Sequence, residues 1–143
     1  MDTSRGGLGG LDLGIRSMDQ QHQDLLALIG ELESLHHGGC DAQALDDMLP
    51  QLQTYAAFHF SEEEAMMQML VGEDAAVRQH RVQHQDFVRQ IQHFVELREF
   101  HSDQAVATRL VQYLRVWLLE HIDTADRDIA AKLLAQCQAF AVH

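Results

Sequence analysis

The sequence predicts an all-α fold, an antiparallel up-down-up-down four-helix bundle with a short flexible N-terminal arm. Three observations carry this reading. Apolar residues recur at steps of three and four along four segments, the spacing that lines one stripe of a helix. Short breaks at Gly38-Gly39, at Gly72 and around His101-Ser102 divide the segments, and short connections make neighbouring helices antiparallel. Strand-like alternation occurs nowhere, and β-branched runs are few in a chain rich in Leu, Ala, Gln, Glu, Asp and Arg. The 143 residues are one domain's worth and can bury a core without disulfides.

Residues 1–14 hold five of the nine glycines and no periodicity, and are read as a flexible arm; residues 15–143 are read as the bundle. The first segment, about 17–37, has the seam Met18, Leu25, Ile29 and Leu32, with His22 filling the gap. Gly38-Gly39 ends it, and Asp41 is expected to cap the next helix. The second segment, about 42–70, runs Leu45, Leu49, Leu52, Ala56, His59, Glu63, Met66, Leu70. Pro50 inside it implies a later start or a kink. The third, about 74–99, reads Val77, His80, His84, Phe87, Ile91, Phe94 behind an expected Asp74 cap. The fourth opens at Ser102 or Asp103 and reads Val106, Leu110, Leu114, Trp117, His121.

Charge narrows the function classes. The 22 acidic residues against 10 basic give a formal net charge of −12, which argues against nucleic acid and against an anionic membrane surface. No apolar run approaches a bilayer span, and the first residues lack the hydrophobic stretch of a secretory signal. Cys40 and Cys137 make no scaffold; at opposite ends of such a bundle they would stay unbridged. The expected setting is a reducing cytoplasm.

The 10 histidines equal Lys and Arg together. His22, His59, Glu63, His80, His84 and His121 all fall on seams, where each unpaired polar group would cost several kcal/mol, on the order of the transfer penalty for buried polar groups. One such histidine is ordinarily a satisfied core residue; polar intruders on all four seams point to a metal site that pairs them. His80 and His84, like His59 and Glu63, are four apart on one helix face. The imidazoles outnumber what one ion takes, and carboxylates can bridge two. The inventory suits two borderline metals rather than Ca²⁺ or Mg²⁺.

The fragments Asp19-Gln20-Gln21-His22, His59-Phe60-Ser61-Glu62-Glu63, His80 with His84, and Trp117-Leu118-Leu119-Glu120-His121-Ile122 followed by Asp126 resemble the hemerythrins, in particular the single-domain bacteriohemerythrins. The resemblance runs from about Leu13 past Asp126. It implies two iron ions in a non-haem, oxo- or hydroxo-bridged di-iron centre that binds O2 or a similar small diatomic ligand reversibly. By position His80, His84 and His121 would hold one iron, His22 and His59 the other, and Glu63 and Asp126 would bridge them. The N-terminus departs from the family, whose Trp-containing arm is replaced by Gly-Gly-Leu-Gly-Gly-Leu-Asp-Leu.

That ligand set leaves the two-histidine iron one position short, the place for O2. Uptake can then move two electrons and one proton within the site without changing its net charge, which a low-dielectric interior favours. Leu26, Phe60, Trp117, Leu118 and Ile122 neighbour ligands and are expected to pack the core and keep the site dry, with Trp117 read as packing rather than redox. Five histidines against two carboxylates favour an O2 carrier, store or sensor. The alternatives are a di-iron enzyme (peroxidase, oxidase or nitric-oxide reductase), which would favour more carboxylates, and a metal-homeostasis protein. No protein partner is legible. Glu33-Ser34-Leu35-His36 is a single E-x-x-H read as surface; His36, His37, His93, His101 and His143 are read as exposed, and Glu62 and Glu64 as a solvated acidic face.

The second bridging carboxylate sets periodicity against resemblance. On a regular helix Asp128 returns to the face of His121, whereas Asp126 lies about 140° around. Beyond the site, the Asp128 register continues through Lys132 and Ala135, a poor core; the Asp126 register continues through Ile129, Leu133, Cys137 and Phe140, a better one. One extra residue, as in a π-bulge between His121 and Asp126, reconciles them. Asp126 is expected at both metals and Asp128 away from them.

Overall fold

The computed structural model of the protein describes residues 9–72 and 74–142, the side chains of 140–142 excepted. Four long helices close a ring. Helix α1 is Arg16–His37; α2, Leu49–Gln68, continues a lead-in of Asp41–Gln43 and Ala44–Met48; α3 is Ala75–Leu97; α4 is Asp103–His121. A wide turn, Ile122–Asp126, joins α4 to α5, Arg127–Val142. Helix α1 packs on α2 and α4, and α3 on the same two, the arrangement of an up-down-up-down bundle. No strand occurs among the described residues.

Local chemistry sets the helix ends. Asp74 Oδ1 accepts from Val77 N at 3.0 Å and Ser102 Oγ from Ala105 N at 3.1 Å, so α3 and α4 begin on side-chain caps. Helix α1 ends with Gly39 at φ +77, a conformation that costs a side-chain-bearing residue. Around it Gly39 N donates to His36 O (3.1 Å) and Cys40 N to Leu35 O (2.8 Å), satisfying the last carbonyls.

Asp41 does not cap α2, contrary to expectation. Its carboxylate is taken by His36 Nδ1 at 2.5 Å, and Cys40 holds the cap position without a side-chain bond. His36 is correspondingly half-buried rather than exposed, with Nε2 3.4 Å from Thr108 Oγ1. The helix runs through Pro50 by way of the π-helical turn Ala44–Met48, and Gln51 Nε2 supplies a donor to the Asp47 carbonyl at 3.0 Å. His37, His93 and His101 are exposed as expected. The readings for His143 and the Phe140 side chain fall outside the described residues.

The third seam is buried throughout. On α2 the seam slips by one after Glu63, so that Met67 is buried while Met66 and Leu70 are half-buried. Trp117 is half-buried and Leu118 takes the inward position. Two apolar clusters result. The larger includes Leu25, Ile29, Leu52, Phe87, Leu110 and Leu114; the smaller comprises Met67, Val77, Ile129 and Leu133 at the end where α2 finishes and α3 begins. Cys137, expected to extend the last seam, is exposed, because the bundle tapers beyond Leu133. Cys40 is also exposed and both thiols are free.

Residues 1–8 of the expected arm lie outside the described residues. Residues 9–14 lie against the bundle: Gly9–Leu11 makes one 3-10 turn, Leu13 is buried, and its N–H donates to Asp19 Oδ1 at 2.8 Å. Arg127 Nη2 donates to Gly10 O at 2.7 Å.

Candidate metal centre

One layer of the bundle is built from polar side chains. His22 comes from α1, His59 and Glu63 from α2, His80 and His84 from α3, His121 from the end of α4 and Asp126 from the end of the wide turn; all seven are buried, Glu63 and Asp126 completely. Each helix brings its residues to one level because they share the seam that packs the apolar core.

The carboxylate oxygens divide the layer into two halves. Glu63 Oε1 lies 3.0 Å from His84 Nε2, 3.3 Å from His80 Nε2 and 3.8 Å from His121 Nε2. Glu63 Oε2 instead faces His59 Nε2 (2.8 Å) and His22 Nε2 (3.3 Å). Asp126 repeats the division: Oδ1 is 2.9 Å from His80 Nε2 and 3.1 Å from His121 Nε2, while Oδ2 is 2.9 Å from His22 Nε2. Donor atoms of Glu63, His80, His84, His121 and Asp126 lie within 4.8 Å of one another, as do those of His22, His59, Glu63 and Asp126.

Three rings are oriented by partners on neighbouring elements. His59 Nδ1 meets Gln21 Oε1 at 2.7 Å, His121 Nδ1 meets Gln83 Oε1 at 2.9 Å, and His84 Nδ1 donates to Glu64 Oε2 at 2.9 Å. With Nδ1 donating, each neutral ring turns its Nε2 lone pair toward the carboxylates. Lone pairs and carboxylate oxygens at such distances repel unless a cation lies among them. Consistently, His59 Nε2 and both Asp126 oxygens are buried without a well-formed hydrogen bond. The donor set therefore fits bound cations, with Glu63 and Asp126 each facing both groups of histidines.

Electrostatics agree. Burial opposes a charge on His22 and His80, yet Asp126 and Glu63 outweigh it and raise both to about 9. His121 moves in the same direction against burial, for the same two carboxylates. Burial and the neighbouring Glu63 act to raise Asp126, but the facing imidazoles of His121, His22 and His80 hold it at about 2; Glu63 likewise lies well below the ordinary carboxylate range. The layer is a basin for positive charge.

The wide turn behaves as expected. Arg127 N bonds to Ile122 O, five residues back, so one residue is accommodated between His121 and Asp126. Asp126 enters the layer, and Asp128 is exposed and paired with Lys132 Nζ at 2.8 Å. Aromatic rings close the surroundings: Phe60 stacks on His84 and Trp117 on His121, with centroids 4.0 and 4.5 Å apart. Leu118 and Ile122 are buried, and Leu26 is half-buried.

Three functional contacts were not legible in the sequence. Gln21 and Gln83 carry no periodic signal that identifies them as partners of His59 and His121. Glu64, expected on a solvated acidic face, instead holds a buried imidazole, while Glu62 is exposed as expected. Each stands beside a candidate ligand in the chain, the one signal available.

Comparison with known proteins agrees with this geometry. The family model of the hemerythrin HHE cation binding domain matches residues 13–133. The chain therefore belongs to the hemerythrin family, whose HHE domain binds cations through a His/Glu/Asp cluster such as this one. It is 26% identical over 121 residues to a bacteriohemerythrin of Clostridium acetobutylicum, covering 82% of this chain and 92% of that protein. It is 30% identical over 119 residues to a bacteriohemerythrin of Pseudomonas aeruginosa, covering 81% and 72%. A bacteriohemerythrin of Stenotrophomonas maltophilia is 25% identical over 131 residues, covering 92% and 82%. Among the described residues no helix is long and apolar enough to cross a membrane.

Proposed function

We propose that the chain binds O2 reversibly at a non-haem di-iron centre, as a carrier, store or sensor. The observation that carries this is the division of the carboxylate oxygens. Glu63 and Asp126 each turn one oxygen to His80 and His121 or His84, and the other to His22 or His59. Two ions in these halves would hold three and two histidines and share both carboxylates, which leaves the two-histidine side short of donors. When bound, a pair of ferrous ions supplies the two electrons that O2 borrows on binding and returns on release.

The chain's own groups do the rest. Gln21 fixes His59 with Nε2 inward, and His22 Nε2 lies between Glu63 and Asp126. Phe60, Leu118 and Ile122 exclude water, whose protons would promote loss of reduced oxygen. The predominance of imidazole over carboxylate favours binding over oxidation of a substrate. The two exposed free thiols suit a reducing, cytoplasmic setting.

The test is metal analysis of freshly purified protein, followed by anaerobic reduction and cycles of air and inert gas under an optical spectrometer. The expected result is two iron ions per chain and an absorption band that comes and goes with O2 over many cycles. Rapid one-way oxidation would assign the site to a di-iron enzyme, and an unresponsive spectrum would assign it to metal homeostasis; either overturns the proposal.

A further inference from the structure

Within the polar layer, the three Nδ1 atoms held by side chains are not held alike. His59 and His121 meet the neutral amides of Gln21 and Gln83. His84 donates to a carboxylate, Glu64 Oε2, at 2.9 Å. Helix α2 makes this possible through two adjacent residues about 100° apart around its axis. Glu63 points into the polar layer, and Glu64 reaches across the boundary between α2 and α3 to the far side of a ring whose Nε2 faces Glu63. The Glu64 side chain keeps 36% of its surface accessible, whereas His84 keeps 2%. A carboxylate at the solvent boundary thus meets the centre of the bundle through one imidazole.

A carboxylate only accepts, so it fixes the proton on Nδ1 and the lone pair on Nε2. It also draws that proton toward itself, which gives the ring imidazolate character and makes Nε2 the stronger donor. A neutral amide fixes the same tautomer with less of the second effect. Glu63 and Asp126 are shared between both halves of the layer and so cannot distinguish them. Glu64 touches one half alone.

We propose that Glu64 is a positioning residue for His84 that adds to the inequality of the two metal positions, biasing the ion held by His80, His84 and His121 toward the higher charge. This rests on the di-iron reading of the site for its metals and on no assumption about O2. Stack contact with Phe60 holds the ring plane, so the contribution of Glu64 is charge and tautomer more than location.

The experiment compares the wild-type chain with Glu64→Gln, Glu64→Ala and Glu62→Gln. Glu62 is exposed, so its substitution makes the same change in net charge without touching His84. Each protein is loaded with iron and its potential measured by mediated spectroelectrochemistry, in which each step passes one electron between the centre and the electrode. Affinity for Co²⁺ is measured separately by competition with a chelator. Glu64→Gln keeps an acceptor for Nδ1 and removes the charge; it is expected to bind Co²⁺ near the wild-type level and to weaken the ferric form about tenfold relative to the ferrous, a rise of about 59 mV for a one-electron couple. Glu64→Ala is expected to raise the potential as well and to lose about 10–100-fold in Co²⁺ affinity. Glu62→Gln is expected to match the wild type in both. Equal shifts in Glu64→Gln and Glu62→Gln, or an Ala variant equal to the wild type, overturn the proposal. Wild-type protein that binds two ions and shows the Glu64 effect without reversible O2 uptake would refute the O2 reading and leave this one standing. A wild-type chain that takes no metal at this layer would refute both.

Discussion

Phe60 lies face to face with His84, ring planes 12° apart and centroids separated by 4.0 Å. The same ring meets Phe87 edge-on at 5.4 Å and Trp117 at 5.9 Å. It therefore joins the apolar core to the polar layer and excludes water from one of the imidazoles that make the layer. Phe60→Ala is expected to cost about 3–5 kcal/mol of stability, the usual range for a buried Phe cavity. It should also hasten one-way oxidation of the iron-loaded protein. Denaturant unfolding and repeated air cycles check the two effects; a variant as stable and as long-lived as the wild type would show that the ring is dispensable.

Asp126 and Asp128 are two residues apart and have opposite surroundings. Asp126→Ala is expected to abolish stable binding of the second metal ion. Asp128→Ala should keep both ions and lose at most about 0.5 kcal/mol, since its partner Lys132 is at the surface. Metal stoichiometry of the two purified variants decides the matter, and a metal deficit in the Asp128 variant would reassign the bridge.

Protons and metal ions compete for the same lone pairs. His22 and His80, raised from 6.5 to about 9 against the carboxylates, contribute stability to metal-free protein that is complete below about pH 6.5 and is lost as pH climbs through 9. Asp126 works in the opposite sense, its contribution present above 3.8 and lost only as pH falls through about 2. The Tm of chelator-treated protein should therefore fall between pH 6.5 and 9, while that of metal-loaded protein should fall less. Loading near pH 8 should release protons, measurable by calorimetry in buffers of different ionisation heat. Identical pH slopes with and without metal would contradict this.

Trp117, the chain's single tryptophan, is stacked on His121 with planes 11° apart. Its fluorescence should be quenched on loading with iron, which has open d-shell states to accept the excitation, and little affected by Zn²⁺, which has a full d shell. Titration of the metal-free protein with each ion checks this. Equal responses would mean that the indole senses only a change in packing.

The bundle was legible in the sequence because burial dominates helix patterning, and the residues that form the polar layer occupy the seams that apolar residues mark out. The wide turn at Ile122–Asp126 was legible for the same reason, through the register of Ile129 and Leu133. The supporting contacts were not. Gln21 meets a histidine 38 positions away and Glu64 one 20 positions away, on neighbouring helices, and spacing along one helix carries no information across to the next. Asp41 fits the composition of a cap, but a competing imidazole five residues earlier claims its carboxylate. Met67 rather than Met66 is buried: steps of three and four from Glu63 both stay near one helix face, so spacing does not choose between two adjacent methionines.

The small cluster of Met67, Val77, Ile129 and Leu133 lies beyond the polar layer from most of the apolar core. These four side chains, with Ile15, Met66 and Leu70 half-buried around them and surface bonds from Lys132 and Gln136, are the smaller core, so this end leans on the layer above it. While the positive charge that Glu63 and Asp126 demand is in place, the layer is a rigid floor. Without metal ions only protons on histidines such as His22 and His80 supply that charge, and as pH climbs through 9 the floor becomes a set of mutually repelling groups and the end beneath it the easiest part of the molecule to open. Amide exchange in α5 and in the first turns of α3 should then proceed by local opening, while the middle of α4 exchanges only through global unfolding. Metal loading would convert a molecule with two tiers of protection into one that opens as a single unit.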